Sequence, residues 1–430
     1  MKYFKKMISW WFTPKLPVQH VYFTNDNRPK GKRDILKAYF ARWLVHPVRR
    51  RMAKNYLKIL QKMFNLTVIG ITGSAGKTTT KEMLASILNI KAETVYSYKN
   101  IDPVYNIPMT ILKCKPRTRY LVLEMGVEFP GEMDYYLWLA KPDIGVITNI
   151  FPTHTEFFGS TKGVGREKTK LVKHIRKGGF LVLNSQDKYL RNKFKSYKGK
   201  IIWFGEKGSV KAVNWHMTKN MHTIFTLVLN KNKSKVKLKV PGNQFVLNSL
   251  SAAAVCYGLN IKIKDIKKGL ESYDKPEHRM NTVILKNNSF MIDDSYNNNP
   301  SAAKASLDTF TALAKNKKKI IVFGDMLELG KKEKFYHEKI GHYIAKLNPD
   351  FLICVGLASR TTYKAASGKM GKKKVKWFED ILSAERELEN AMSADCAVLI
   401  KGSRSIKLNQ LADNLYKKRL LKYNQKTITI

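Results

Sequence analysis

From Leu66 onwards, short apolar runs alternate with segments whose apolar positions recur at helical spacing. Each apolar run is four to seven residues long and predicts a buried β-strand. These runs are Leu66–Ile71, Tyr120–Met125, Ile144–Ile150, Phe180–Leu183 and Ile201–Phe204. Helices are predicted between most of them, for instance over Gly131–Ala140 and Gly163–Ile175. This alternation is typical of an α/β fold with a doubly wound sheet.

The pattern changes twice further along the chain. Residues 212 to 240 predict antiparallel strands at an edge of the sheet, and helices are predicted over Phe245–Gly258 and Ile263–Ser272. A second α/β set begins near Asn281, and its buried-strand runs are Ile320–Phe323, Phe351–Val355 and Ala397–Ile400. We therefore predict an N-terminal arm (1–65), a central domain with a nucleotide-binding type of sheet (66–280) and a C-terminal Rossmann-like α/β domain (281–430).

The arm differs from the rest of the chain in its charge. It holds sixteen Lys or Arg residues and two acidic residues, Asp26 and Asp34, with aromatic residues between them. Its periodicity predicts a helix from Asp34 to Met63, broken near Pro47. Two interpretations stay open. A basic helix with interfacial aromatic residues can lie on an anionic membrane, or the arm packs on the next domain and buries its aromatic side chains.

Composition places the chain among globular proteins of a reducing compartment. Hydrophobic residues make up 44% of its 430 residues, and no run approaches the ~18 apolar residues of a membrane span. We see no signal peptide. The cysteines stand far apart in apolar segments, which favours buried thiols over disulfides or a metal site; they are Cys114, Cys256, Cys354 and Cys396. We expect a cytoplasmic monomer, at the inner membrane face if the arm contacts lipid.

The net charge of +46 is extreme. Such a charge attracts polyanions, among them nucleotides, nucleic acid and anionic lipid. A general bias towards lysine at exposed positions explains it equally simply, and the dispersion of the lysines along the chain favours that explanation. No RNA-binding or helix-turn-helix signature accompanies the charge. We therefore expect no specific nucleic-acid partner.

The first motif with clear chemistry is a glycine-rich turn between a predicted strand and a predicted helix. It reads Thr72-Gly73-Ser74-Ala75-Gly76-Lys77-Thr78-Thr79. Backbone N–H groups of such a turn point at phosphates, Lys77 supplies a positive charge and the Thr78 hydroxyl can hold Mg²⁺. Ile71 stands where the common phosphate-binding loop has its first glycine, so the motif here is a compact form.

Polar residues follow other predicted strands. Glu124 and His154 come after neighbouring strands, at the sheet edge where ligands bind. Lys168 lies fourteen residues after His154 in a helical segment, where a surface lysine is the ordinary interpretation. In the second α/β set, the turn Asp293–Pro300 and the run Lys401–Arg404 each precede a helix. They suit anion or amine binding, although turn chemistry and helix capping also explain them.

These segments, in this order, resemble the Mur ligase family of bacterial cell-wall synthesis. The resemblance covers residues 66 to about 415. It is carried by Thr72–Lys81, Leu123–Gly126 with Gly131-Glu132, Thr148–Ser160, Asp293–Pro300, Gly324–Gly330 and Lys401–Arg404. The run Gly324–Gly330 and the Tyr-Asn-x-Asn-Pro turn resemble the branch that adds D-alanyl-D-alanine. Members typically carry an N-terminal domain that binds the UDP part of the substrate, and here the basic arm stands in that place.

The resemblance implies roles for individual residues. ATP would be bound by the phosphate loop, Thr72 to Thr79, and by Asn248, Arg279 and Asp294. Mg²⁺ would be held by Thr78, Glu124, His154 and Lys168, the last as a carbamate. Lys77, Glu124, His154 and Lys168 would thus be the catalytic set. The C-terminal domain would present the amine, with the contacts expected among Tyr296, Asn297, Asn299, Lys401 and Ser403.

The activity implied by the resemblance is an ATP-dependent amide ligation. A carboxylate of a nucleotide-linked muramyl peptide would be activated as an acyl phosphate, and D-alanyl-D-alanine would attack it to make a peptidoglycan precursor. Three alternatives stay open: a related ligase for a different amino acid or polymer, an NTPase acting on nucleic acid, and a membrane scaffold with an inactive site. The intact Lys77, Thr78, Glu124 and His154 argue against the last.

Overall fold

The computed structural model describes residues 16, 17, 20, 31–98, 101–285, 287–403 and 406–424. Most of the aromatic positions in the first thirty residues, and Arg404 of the Lys401–Arg404 run, lie outside this part of the chain. Two β-sheets, one after the other along the chain, organise the described residues.

The first sheet has nine strands in the order β2-β3-β1-β4-β5-β6-β7-β8-β9. The strands β1 to β6 are parallel, β7 continues parallel to β6, and the last three strands pair antiparallel. They are Thr67–Thr72, Thr94–Tyr96, Tyr120–Glu124, Ile144–Ile147, Phe180–Asn184, Ile201–Phe204, Val210–Met217, Thr223–Leu229 and Asn232–Leu238. The predicted strands, including the antiparallel edge, are confirmed to within a few residues.

Helices cover both faces of this sheet. Alternate strand residues pack on opposite sides: Ile69 and Ile71 belong to one buried cluster and Val68 to another. The helices are α1 (Lys32–Phe40), α2 (His46–Met63), α3 (Lys77–Leu88), α4 (Pro103–Ile111), α5 (Glu132–Leu139), α6 (Thr155–Phe158), α7 (Thr161–Thr169), α8 (Lys188–Lys193), α9 (Asn243–Gly258) and α10 (Ile263–Glu271). The predicted doubly wound arrangement is confirmed.

The second sheet has six strands in the order β10-β11-β15-β12-β13-β14, and only β10 runs antiparallel. The strands are Asn281–Ile284, Phe290–Asp294, Lys318–Gly324, Phe351–Val355, Val375–Phe378 and Cys396–Lys401. The helices are α11 (Pro300–Leu313), α12 (Glu333–Leu347), α13 (Ser359–Met370), α14 (Ile381–Ala391) and α15 (Leu408–Asn424). One buried cluster runs from the first sheet into the second, so the two lobes share packing.

The described part of the arm is one continuous helix. It consists of α1 (Lys32–Phe40), a π-helical turn over Ala41–Val45 and α2 (His46–Met63). The predicted break near Pro47 is wrong, because Val45 (φ −67°, ψ −47°) and His46 (φ −67°, ψ −40°) keep helical backbone angles. In an α-helix the proline ring would clash with the carbonyl four residues earlier. The wider π-turn directly before Pro47 changes that spacing, and the helix continues.

One face of this helix packs on the central domain. Ala53, Leu57 and Leu60 are buried in the cluster that also contains residues of α4 and α5. The interpretation of the arm as a packed helix is thus right for one face, while Phe40 on the other face stays exposed. Within the described parts of the chain, no helix combines the length and the apolarity needed to cross a lipid bilayer.

The four cysteines are all free and buried, as predicted. Burial raises the pKa of the Cys114 thiol to about 12, and it also raises the pKa values of Cys256 and Cys354. A thiol with a raised pKa is a poor nucleophile. Cys114, Cys256 and Cys354 are therefore poor nucleophiles at neutral pH.

Candidate active site

The phosphate loop connects the end of β1 to the start of α3. Thr72 is the last residue of the strand and Lys77 the first of the helix, so the loop opens at a helix N-terminus. A helix N-terminus favours anions because its first N–H groups have no partner within the helix. Ile71, which replaces the usual first glycine, lies fully buried in β1. The compact motif therefore starts its turn after the strand has ended.

Two glycines are required by the shape of this loop. Gly73 has φ +146°, and a Cβ there would lie 1.9 Å from the Thr148 hydroxyl. Gly76 has φ +80°, and a Cβ there would lie 2.2 Å from Asn248 Oδ1. Both positions combine a left-handed backbone with a close approach of another side chain. The loop is thus held between the segment after β4 and the helix α9.

The segment after β4 fixes the loop by hydrogen bonds. Asn149 Oδ1 accepts from the Ala75 N–H at 2.8 Å, and Asn149 Nδ2 donates to the Ala75 carbonyl at 3.1 Å. The Thr148 hydroxyl donates to the same carbonyl at 2.6 Å, and the Ser74 N–H donates to the Asn149 carbonyl at 3.0 Å. This network orients the loop before any ligand arrives, which is the preorganisation that anion binding needs.

Lys77, Thr78 and Glu124 meet at the floor of the site. The Thr78 hydroxyl donates to Glu124 Oε1 at 3.0 Å, and Lys77 Nζ donates to the Gly73 carbonyl at 3.0 Å. Arg279 from the segment between the sheets reaches the Thr78 hydroxyl with Nη2 at 3.4 Å. Burial lowers the pKa of Lys77, Glu124 opposes this effect and Arg279 adds to it. Two cations and one carboxylate therefore surround the loop.

Lys168 is a fully buried amine behind the cavity. Its Nζ has no hydrogen-bond partner among the described residues, and its side chain is 0% exposed. Burial lowers its pKa far below the ordinary value, and Lys77 lowers it further, while Glu132 and Glu167 act in the opposite direction. The interpretation of Lys168 as a surface lysine is wrong. A lowered pKa favours the neutral form of a buried amine, and neutral amines are nucleophiles.

His154 contacts the C-terminal lobe. Its Nδ1 lies 2.5 Å from Glu328 Oε2, and Glu128 completes a group of three side chains whose ligand atoms lie within 4.8 Å of one another. The Thr155 hydroxyl donates to the Leu329 carbonyl at 3.0 Å beside this pair. Burial and the nearby Glu328 raise the pKa of Glu128 to about 7. The Gly324–Gly330 run thus meets the central lobe at the active site.

Asp294 and Lys401 form a buried pair at the C-terminal side of the cavity. Lys401 Nζ lies 3.1 Å from Asp294 Oδ2 and also donates to the Asn297 carbonyl. Asp294 further accepts from the Met280 N–H at 3.2 Å and from the Ser306 hydroxyl. Burial lowers the pKa of Lys401, against the effect of Asp294. The positive charge and the turn beside it are therefore held rigidly.

The arm reaches the rim of the cavity through His20. Its Nε2 lies 2.5 Å from Glu132 Oε1, and its Nδ1 lies 3.4 Å from Asp102 Oδ2. Burial lowers the pKa of His20, yet the hydrogen bond to Glu132 and the charge of Asp102 outweigh burial and raise it. Both carboxylates line the cavity. His20 thus holds part of the arm next to the cavity.

A cavity of about 790 Å³ lies between the two lobes and gathers most of the predicted residues. Those that line it are Ser74, Ala75, Gly76, Lys77, Thr78, Thr79, Glu124, His154, Asn248, Arg279, Asp294, Tyr296, Asn297, Asn299 and Lys401. Thr72, Gly73, Lys168 and Ser403 do not line it. The side-chain oxygen of Asn299 accepts from the Ala302 N–H at 2.9 Å and caps α11, so helix capping explains this residue.

Sequence reasoning missed several residues of the site. Glu128 and Glu328 were not assigned roles, although Glu328 lies in the recognised Gly324–Gly330 run. Trp215 and Met217 line the cavity from β7, a strand that was predicted only as an edge. Nothing in the local sequence of β7 distinguishes these two positions from ordinary edge-strand residues. Glu328, by contrast, could have been identified from the sequence, because it lies in the Gly324–Gly330 run that carries the resemblance.

Two family models match this chain. The Mur ligase middle domain matches residues 71–256, and the Mur ligase, glutamate ligase domain matches residues 278–404. The two matches correspond to the two sheets.

Curated relatives with the same name match most of the chain. The UDP-N-acetylmuramoyl-tripeptide–D-alanyl-D-alanine ligase of Buchnera aphidicola is 30% identical over 366 residues, which are 83% of this chain and 78% of the relative. The enzyme of that name from Bacillus subtilis is 30% identical over 368 residues, or 85% of this chain and 78% of the relative. The Haemophilus influenzae enzyme is 29% identical over 364 residues, with coverages of 83% and 78%.

Solved structures are similar over the same length. A crystal structure of MurF from Acinetobacter baumannii has a TM-score of 0.79 and 30% identity, covering 86% of this chain and 80% of that one. MurF ligase from Thermotoga maritima, solved in complex with ADP, has a TM-score of 0.78 and 25% identity, with coverages of 92% and 94%.

Proposed function

The chain belongs to the Mur ligase family, and on this premise we propose that it joins D-alanyl-D-alanine to a UDP-N-acetylmuramoyl tripeptide at the expense of ATP. The product is a peptidoglycan precursor. The observation that carries the proposal is the cavity between the lobes. It brings the phosphate loop, Glu124 and His154 of one lobe against Arg279 and the Asp294–Lys401 pair. Such a site can hold a nucleoside triphosphate and two further reactants at once.

The first step transfers the terminal phosphoryl group. The N–H groups of the phosphate loop, Lys77 and Arg279 bind the phosphates and neutralise the charge that develops in the transition state. An oxygen of the tripeptide carboxylate attacks the γ-phosphorus, the bond to the β–γ bridging oxygen breaks, and ADP leaves. The product of this step is an acyl phosphate on the tripeptide.

The second step forms the amide bond. The neutral amine of D-alanyl-D-alanine attacks the acyl carbon, the C–O bond to phosphate breaks, and the amine proton passes to a base or to the departing phosphate. Tyr296, Asn297 and Lys401 line the C-terminal side of the cavity, where we propose that the dipeptide binds. Contact between the lobes excludes water, which would otherwise hydrolyse the acyl phosphate.

We propose Mg²⁺ as the second cofactor, because the donor set fits it. The Thr78 hydroxyl and the Glu124 carboxylate lie 3.0 Å apart next to the phosphate loop, and hard oxygen ligands suit Mg²⁺. His154 and a carbamate of Lys168 would serve a second ion. Bound there, Mg²⁺ would offset the negative charge of the triphosphate and the acyl phosphate.

The state of Lys168 supports its role as a carbamate. Addition of CO₂ to an amine requires the neutral form, and the lowered pKa of Lys168 favours that form. The Nζ atom is buried without a hydrogen-bond partner among the described residues, a costly arrangement for a plain lysine. The carbamate would turn this orphaned donor into a carboxylate, whose hard oxygen atoms would suit Mg²⁺.

The last part of the proposal concerns the cellular location and the oligomeric state of the protein. We propose a cytoplasmic monomer whose substrates are small molecules, and an arm (1–65) that contacts an anionic membrane at its inner face. Action on nucleic acid is the weaker interpretation, because it gives no role to the polar turn Asp293–Pro300 beside the cavity.

The test is phosphate release from ATP in the presence of UDP-muramyl tripeptide and a panel of amines and dipeptides. We expect D-alanyl-D-alanine to stimulate release most strongly. Lys77→Ala should abolish release with the fold intact, and the exposed Lys372→Ala serves as a matched control with unchanged release. Stimulation by another amino acid instead would indicate a related ligase, and wild-type turnover in Lys77→Ala would refute the role of the phosphate loop.

A further inference from the structure

The outer face of the N-terminal helix carries a row of exposed apolar side chains. We call this row the outer stripe; its members are Leu36, Phe40, Leu44, Val48, Met52, Ile59 and Met63. Leu36 is 73% exposed and Met63 68%. At ~1.5 Å per residue the stripe is about 40 Å long. An apolar row of this length on the surface marks an interaction site.

The π-turn keeps the stripe on one side of the helix. In an α-helix four residues turn through ~400°, so positions four apart drift by ~40° with each step. Leu36, Phe40, Leu44 and Val48 are spaced in this way. The π-turn over Ala41–Val45 has more residues per turn, and it rotates the following positions back. The same turn that accommodates Pro47 therefore aligns the two halves of the stripe.

Positive charge surrounds the stripe. Between Lys32 and Met63 the helix carries ten Lys or Arg residues and one acidic residue, Asp34. Lys37, Lys58 and Lys62 are exposed beside the stripe. Burial lowers the pKa of Lys54 to about 8, and the charges that act on it, from Lys58, Lys141 and Arg51, are all positive. Lys54 therefore lies among other cations.

We infer that the outer stripe lies on the surface of an anionic lipid bilayer, with the helix parallel to the membrane plane. Apolar side chains enter the boundary between headgroups and acyl chains, and the flanking lysines meet lipid phosphates. A second copy of the chain is a poor occupant, because pairing two such stripes would bring the exposed Lys37, Lys58 and Lys62 of one copy close to the same lysines of the other. The inference concerns the arm alone and stands independently of the ligase reaction.

Co-sedimentation of the full chain with lipid vesicles tests the inference. One vesicle preparation contains phosphatidylcholine alone, and the other contains phosphatidylglycerol in addition. We expect binding to the anionic vesicles only, weakened by added salt. The variant Phe40→Ser/Leu44→Ser should weaken binding about ten-fold or more. Its control, Leu357→Ser/Leu382→Ser, replaces two side chains that are each 68% exposed in the C-terminal lobe, and it should bind as wild type.

A second pair of variants distinguishes the effect of charge beside the outer stripe from the effect of the total charge of the protein. Lys58→Gln/Lys62→Gln should weaken binding by about 25-fold, since each lysine near an anionic surface contributes about a five-fold factor. Lys372→Gln/Lys373→Gln removes the same charge from exposed positions of the other lobe and should have little effect. Far-ultraviolet circular dichroism checks that each variant is folded.

Several results would overturn the inference. Equal binding to both kinds of vesicle, no binding by wild type, or equal losses in the helix variants and their controls would each do so. A wild-type dimer in light scattering that Phe40→Ser/Leu44→Ser converts to a monomer would instead assign the stripe to contact between copies.

Discussion

At the scale of single residues, Lys168 is the least ordinary side chain of the site. Its amine is buried, has no hydrogen-bond partner among the described residues and has a strongly lowered pKa. We predict that Lys168→Arg lowers amide formation by at least about 100-fold, because a guanidinium does not take up CO₂ and the buried charge would lack a partner. The kinetic measurement is amide formation under saturating substrates.

A spectroscopic measurement tests the carbamate itself. ¹³C NMR with labelled bicarbonate should show a carbamate signal in the wild type that is lost in the Lys168→Arg variant. Lys170→Ala is the matched control, because Lys170 is only partly buried and pairs with the exposed Asp134 as well as with Glu167. A carbamate signal that persists in Lys168→Arg, or its absence from active wild type, would contradict the prediction.

The sequence located the chemistry of the phosphate loop but not the environment of Lys168. Gly73, Gly76 and Lys77 stand in a contiguous motif whose spacing follows from the loop's own backbone, so a local pattern was sufficient. The environment of Lys168 depends on side chains that are distant in sequence, among them Lys77 of α3 and Glu132 of α5. Residues alone therefore suggested a surface lysine, and only the resemblance to the family indicated a functional one.

At the scale of elements, the helix α12 orients the Gly324–Gly330 run through one imidazole. His337 is fully buried, its Nε2 accepts from the Met326 N–H at 3.0 Å, and its Nδ1 lies 2.9 Å from the Thr362 hydroxyl. Burial lowers the pKa of His337 to about 4, while the Met326 carbonyl, 3.3 Å from Nε2, acts in the opposite direction. The neutral form is therefore the one that holds this run in place.

The depressed pKa of His337 predicts that the protein loses stability in mild acid. The pKa of His337 is depressed in the folded state. Its contribution to the free energy of unfolding is therefore fully present above the unfolded pKa of 6.5, and it is lost as pH falls towards about 4. The total loss is at most ~3 kcal/mol. The free energy of unfolding by urea, measured at several pH values, should fall less steeply in His337→Gln. Identical pH slopes in the two proteins would refute this assignment.

Strands could be predicted from the sequence where both of their faces are buried, because such strands are continuous apolar runs. Ile201–Phe204 and Phe351–Val355 match their predictions residue for residue. Pro47 misled the prediction because the rule that proline breaks a helix assumes α-helical spacing throughout. The π-turn that removes the clash has no sequence signature of its own, so its position could not be read from the chain.

At the scale of the whole molecule, the His154–Glu328 pair ties the two lobes together at the active site. Both residues have left-handed backbones, with φ 53° and φ 62°. Residues other than glycine seldom adopt this conformation, and strain of this kind is found at functional sites. The surrounding structure must therefore hold both residues in this unfavourable backbone conformation for the contact between the lobes to form.

We predict that Glu328→Gln loosens the closed arrangement of the lobes. The contact between the Glu328 carboxylate and His154 Nδ1 is weakened, so ATP hydrolysis without amide formation should increase several-fold, and KM for the dipeptide should rise. Small-angle scattering should give a larger radius of gyration. Glu338→Gln, at an exposed position of α12, is the control and should behave as wild type. Unchanged coupling of hydrolysis to amide formation in Glu328→Gln would contradict the prediction.

The buried thiols have a practical consequence for following this motion. Because every native cysteine is covered and three have raised pKa values, maleimide dyes should react slowly with the unmodified protein. Two cysteines introduced at exposed sites, one on each lobe, would then be the only positions labelled quickly. Resonance energy transfer between the dyes would record opening and closing one molecule at a time, without first engineering away any natural sulfur.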